Sequence, residues 1–195
     1  MVEFLSSRDV LLLLTGALIS ILVFLAQTLV KIFQTNKGQV KIYTKPVYDK
    51  ATNEAWGFHF ATDGQMYFNV PLWIEIHNTK GKNQIVRNFN LSLYADETLV
   101  GKTKQINYSG TASNKEIYGD EGAYSFLISE NSIARYKLNF VAFRNDINKN
   151  FNKVVISYFD SNDKLCESLL FDVEEPWKIS DNKADYEWSL MKKGY

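Results

Sequence analysis

The chain has 195 residues, 22 basic and 22 acidic side chains, and a formal net charge of zero. That balance lacks the basic excess of a general nucleic-acid binder. The single cysteine, Cys166, excludes an intramolecular disulfide, and with only two histidines it leaves little material for a structural zinc site.

Residues 1–9 form a short N-terminal tail in which Ser6 or Ser7 can cap a following helix. From Val10 to Val30 the chain reads VLLLLTGALISILVFLAQTLV, twenty-one residues without a charge. A helix of that length spans roughly 30 Å, the thickness of a bilayer's hydrocarbon core. A transmembrane helix over 10–31, with the lipid bilayer as its partner, is therefore expected. The apolar run is too long for a cleavable signal peptide, and no small-residue cleavage site follows it. One flank carries Arg8; the other carries Lys31, Lys37, Lys41, Lys45 and Lys50. This lysine bias predicts the N-terminus outside and the following domain on the cytoplasmic side. Within the span, Gly16, Ser20, Val23 and Gln27 share one face. Small residues let helices approach, and an amide can bond across, so this face is a candidate for helix association and homo-oligomers.

Residues 32–38 read as a juxtamembrane connector, with Asn36-Lys37-Gly38 as a helix stop. From Gln39 the period changes to two. Strands are expected from Val40 to a limit at Pro46, over 56–61, and most clearly over 66–77. There Phe68, Val70, Leu72, Ile74 and Ile76 alternate with largely polar residues. Further strands fall over 85–94, where Arg87 interrupts the apolar face, and over 99–106, 123–128, 133–143, 154–159 and 165–173. Seven to nine strands without intervening helices predict a mainly β protein. Its expected architecture over 39–173 is an antiparallel β-sandwich, immunoglobulin- or fibronectin-like. Residues 174–195 read as a C-terminal tail with three readings over 184–193: a short helix that touches the membrane interface with Trp188, Lys192 and Lys193, a segment folded back on the domain, or a frayed end.

The polar connection over 107–122 is the longest and the first place to seek binding. Its Tyr108 and Tyr118 are candidate interaction residues. Trp73, on the polar side of its strand beside Glu75 and His77, is a third. No phosphate-binding, dinucleotide, zinc-protease or serine-hydrolase motif occurs, and no cofactor is implied. His59 and His77 need acids converging on them to do chemistry; Asp49, Glu54, Asp63 and Glu75 are available. Cys166 reads as a buried structural thiol, and Asn90-Leu91-Ser92 and Asn107-Tyr108-Ser109 as chance matches to glycosylation acceptors. The expected function is a non-catalytic module at the membrane, binding an unknown protein partner. The competing expectations are a membrane-tethered hydrolase or an extracytoplasmic ligand-binding domain.

Overall fold

The structure, a computed structural model, describes residues 7–49, 52–108, 115–118, 124–147, 149–180, 182–184 and 187–192. Of the two expected caps, Ser6 lies outside them and Ser7 is the first residue of the helix. Among the described residues one helix and twelve strands occur in this order: α1 (Ser7–Asn36), β1 (Val40–Pro46), β2 (Gly57–Phe60), β3 (Met66–Asn78), β4 (Gln84–Ala95), β5 (Thr98–Lys102), β6 (Lys104–Tyr108), β7 (Lys115–Tyr118), β8 (Phe126–Ile128), β9 (Ser132–Phe143), β10 (Lys153–Phe159), β11 (Leu165–Asp172) and β12 (Ser189–Leu190). The protein is mainly β, with two antiparallel sheets and an N-terminal apolar helix.

Helix α1 is about 45 Å long at 1.5 Å per residue. It is long and apolar enough to cross a bilayer, and none of its apolar window is buried against the rest of the chain. The hydroxyls of Thr15, Ser20 and Thr28 bond within the helix. Thr15 donates to Leu12 O (2.9 Å), Ser20 to Gly16 O (2.9 Å) and Thr28 to Phe24 O (2.8 Å). The helix stops where the sequence places a stop: Lys37 N–H still reaches Phe33 O, and Gly38 then takes a φ of +108°.

The larger sheet runs β12-β1-β3-β9-β6-β7, and the smaller runs β11-β10-β4-β5. A long strand organises each. β3 pairs with β9 along one side, while β1 and β2 divide its other side between them. β4 likewise pairs with β10 on one side and with β5 and β8 on the other. The five apolar residues expected to face inward from β3, Phe68, Val70, Leu72, Ile74 and Ile76, are all fully buried; burial alternates from Leu72 onward, while Phe68 to Leu72 are buried throughout, Asn69 and Pro71 included. They meet Phe89, Leu91 and Leu93 of β4, Leu138 and Phe140 of β9, and Val154 and Ile156 of β10 in one core fed by both sheets.

Four local expectations are corrected. First, Arg87 does not interrupt the apolar face of β4. Asn88 has a φ of +53°, and β4 carries one residue more than β10 between the pairs Ser157–Asn90 and Phe159–Arg87. This bulge flips the phase of the strand, so Val86 and Phe89 both point inward. Second, the strand expected over 99–106 is two strands in different sheets. The chain changes sheet at Thr103, whose buried hydroxyl donates to Asn90 Oδ1 (2.7 Å) while Asn90 Nδ2 donates to Thr103 O (3.0 Å). Asn90 is thereby buried inside the fold and excluded as a glycosylation acceptor. Third, the polar segment over 107–122 contributes the end of β6 and all of β7, which pair with each other. Fourth, of the alternatives for the tail the helix is corrected: the described residues within 184–193 make no helix, and Ser189–Leu190 instead folds back to pair with β1 as a strand. The segment before it straps back across β2. Ser180 N–H donates to Phe58 O and Ser180 Oγ accepts from Phe58 N–H, both at 3.3 Å. Trp177 packs on Phe58 and Phe151.

Candidate functional site

The outer face of the larger sheet gathers a polar and aromatic surface by strand register alone. Three rungs of β1, β3 and β9 build it: Lys45–Trp73–Lys137, Tyr43–Glu75–Arg135 and Lys41–His77–Ile133. These side chains alternate with the buried ones on β3, which turns them outward. Glu75 is the pivot. Its Oε1 lies 2.8 Å from His77 Nε2, and its Oε2 accepts from Arg135 Nη2 (2.6 Å) and Nε (3.0 Å). These two partners, His77 first, hold the Glu75 carboxyl below its ordinary range. The Tyr43 ring stands 4.7 Å from the His77 ring. The Arg135 guanidinium lies 5.2 Å from the Trp188 ring, and Lys137 Nζ lies 5.5 Å from the Trp73 ring. Trp73 is thus half-buried between cations. Arg135 and Trp188 belong to this face although no sequence pattern marked them.

At the far end of β3 a second polar group ties a loop down. Tyr67 donates to Glu54 Oε2 (2.9 Å), and His59 Nδ1 lies 3.6 Å from Glu54 Oε1. Asn139 Nδ2 donates to buried Asp49 Oδ2 (2.9 Å). Burial, and then the Glu54 carboxylate, push the Tyr67 hydroxyl pKa up. The loop also closes on itself through Asp49 N–H to Glu54 O (2.8 Å). These contacts hold Asp49 and Glu54 against the sheet.

The two histidines therefore do not converge. His59 pairs with Tyr67, and His77 lies ten residues further along β3, roughly 33 Å away at about 3.3 Å per residue. Each has one carboxylate within 4 Å. Among the described residues no cluster of three or more His, Cys, Asp or Glu could hold a metal ion.

A groove of about 450 Å³ opens between the β1–β12 edge and the β10–β11 edge, lined by Ile42, Tyr158, Cys166, Glu167, Leu190 and Met191 among others. Cys166 is only half-buried, not the buried thiol expected, because it sits on the last strand of its sheet. Burial, and then Cys166 opposite it, raise the Tyr158 hydroxyl pKa. Neither histidine lines this groove.

Of the other residues singled out by sequence, Tyr108 lies in β6, opposite Lys115, and Tyr118 lies in β7, opposite Gln105. Their side chains and most of the connection between them lie outside what the structure describes. Gly16, Ser20 and Gln27 lie on α1, and all three are exposed. A methyl group added at Gly16 would meet nothing within 4 Å.

No protein-family model matches the chain, and comparisons with curated proteins and with solved structures find no match.

Proposed function

We propose that this chain is a single-pass membrane protein whose β-domain is an antiparallel sandwich acting as a non-catalytic interaction module. The observation that carries the reading is the uncovered apolar surface of α1. Leu11 to Leu14 are each about 60% exposed, and Phe24 and Leu29 are 67% exposed. Fourteen Leu, Ile, Val and Phe side chains occur from Val10 to Val30. Leaving them in water forfeits roughly 13–25 kcal/mol of apolar transfer energy, allowing for the part the helix already shields. A bilayer removes that cost, and the backbone of a helix is already satisfied internally.

The sandwich reading is supported by the single core that both sheets feed, with polar side chains on the opposite face of β3. The interaction reading is supported by the open outer face around Glu75. Trp, Tyr and Arg are the side chains most used as binding anchors, and Trp73, Tyr43 and Arg135 stand there on rigid strands. The lysines after Val30 favour a cytoplasmic β-domain.

Fusion of Tyr195 to alkaline phosphatase and, separately, to green fluorescent protein in a bacterial host tests span and orientation together. Fluorescence in the membrane fraction without phosphatase activity is expected. Phosphatase activity would reverse the orientation and make an envelope ligand the leading partner. Fluorescence in the soluble fraction would overturn the anchor.

A further inference from the structure

The junction between α1 and the β-domain is not a loose linker. A Cβ at Gly38 would lie 2.2 Å from Thr79 O, and one at Gly81 would lie 3.2 Å from Thr35 Cα. Gln39 and Thr79 exchange three hydrogen bonds: Thr79 N–H to Gln39 O (3.0 Å), Gln39 N–H to Thr79 Oγ1 (2.9 Å) and Thr79 Oγ1 to Gln39 O (3.1 Å). The end of the helix therefore rests on the β3–β4 turn. The same turn collects the neighbouring loops. Asn131 N–H donates to Lys80 O (3.1 Å), Glu130 N–H to Asn83 Oδ1 (3.1 Å), and Ile85 N–H to Ser161 Oγ (2.8 Å). One end of the domain is thus defined by α1, the β3–β4 turn, the β8–β9 turn and the β10–β11 turn.

We propose that this end docks on the anionic headgroup surface of the bilayer that α1 enters, so that the domain is held in one orientation. The inference rests on the membrane-span reading above. Distance is the first support. Lys31 to Asn36 adds about 9 Å of helix beyond Val30, and a headgroup layer is about 5–7 Å thick on each side. The turn therefore lies at the outer boundary of that layer. Charge is the second. Lys37 and Lys82 are exposed at the junction and the turn, and Lys164 is exposed on the β10–β11 turn; Lys80, beside them, is half-buried and its Nζ donates to Gln84 Oε1 (3.4 Å). The acids of this end are Glu130, Asp160 and Asp163, and Asp163 is already paired with Arg87 (2.8 Å). The third support is apolar. Ile85 and Leu127 face each other across β4 and β8, one residue in from the end, at 47% and 66% exposure. Lysines beside exposed aliphatic side chains match the chemistry of a phosphate layer over acyl chains.

The test places an environment-sensitive probe at Leu127→Cys, with Leu22→Cys in the helix and Glu97→Cys on the far β4–β5 turn as references. Each is made in full-length chain carrying Cys166→Ser, in nanodiscs of phosphatidylcholine with phosphatidylglycerol. Lipids carrying spin labels near the headgroup or in the acyl chain supply the quenching. Strong acyl-chain quenching at Leu22 and headgroup quenching at Leu127 severalfold above Glu97 are expected. Lys80→Gln with Lys82→Gln should then shift the docked population by roughly fivefold per lysine removed, as should a change to pure phosphatidylcholine in direction. Quenching at Leu22 with Leu127 equal to Glu97 overturns the docking and leaves the span standing. An unquenched Leu22 overturns the span and the docking with it.

Discussion

The membrane reading makes a quantitative demand on two leucines. Leu18 and Leu22 lie one turn apart near the middle of the apolar run, at 60% and 58% exposure, so they share a face that none of the described residues covers. The fourteen large apolar side chains of the run contribute about −4 to −8 kcal/mol toward insertion at −0.3 to −0.6 each. Arginine at the centre of a span costs about 2.5–3.5 kcal/mol, so each Leu→Arg change shifts the balance by about 3–4 kcal/mol. Leu18→Arg alone leaves insertion weakened. Leu18→Arg with Leu22→Arg shifts it by about 6–8 kcal/mol, which cancels the whole apolar contribution. The assay is alkaline carbonate extraction of membranes, with near-ultraviolet circular dichroism on the released protein. Wild-type chain stays in the pellet, the single variant distributes between fractions, and the double variant moves to the supernatant with its β-domain signal intact. A double variant that stays in the pellet as wild type does refutes the argument, because it would place the membrane affinity somewhere other than α1. A wild-type chain that washes off refutes it too.

Three further outcomes follow from particular contacts. Glu75 has a carboxyl pKa lowered from its ordinary 4.5 by His77 and Arg135, so its contribution is present above that value and lost as pH falls through the depressed one. Glu75→Gln should cost about 0.5–1 kcal/mol in urea unfolding near neutral pH, and the gap to wild type should close as pH falls through the lowered Glu75 pKa; a gap independent of pH would refute the ion-pair role. Thr103→Val keeps the shape at the point where the chain changes sheet but removes the hydroxyl donated to Asn90. It should lower unfolding free energy by about 1–2 kcal/mol, with Thr103→Ser close to wild type. In a membrane two-hybrid reporter, Gln27→Leu should reduce self-association of α1 by about 0.6–2 kcal/mol, some three- to thirtyfold. An unchanged signal would remove Gln27 from the association face.

The parts of this fold that were legible in sequence are those set by one period within one element. α1 is legible because a continuous apolar run needs no partner to be recognised. β3 is legible because apolar residues recur at every second position from Phe68 to Ile76, and all five are buried. What escaped depends on single backbone events. Asn88 enters the left-handed region and reverses the facing of β4, so Arg87 looked like an intrusion into a strand that in fact changes phase. At Thr103 the sequence stays strand-like while the chain leaves one sheet for the other. The hydrogen bonds to Asn90 that stabilise the crossing join residues thirteen apart, beyond any local pattern. The tail was readable as a helix or as a segment folded back because Trp188, Leu190 and Met191 suit either periodicity. The free edge of β1 decides between them: Met191 N–H donates to Ile42 O (2.9 Å), continuing the pairing of Ser189 and Leu190.

The candidate face shows the same limit in its functional form. Trp73, Glu75 and His77 could be placed on one side of a strand because they are two residues apart. Their meaning comes from β9, whose register sets Lys137 against Trp73 and Arg135 against Glu75. Slipping that register by one residue would turn both cations into the core and leave Glu75 without its guanidinium. The burial of Leu138 and Phe140 forbids the slip, since it would carry both to the solvent side. Core packing on the inner face therefore specifies the charge pattern on the outer one. A partner that reads Trp73, Arg135 and His77 as a set is reading the consequence of apolar residues it never touches.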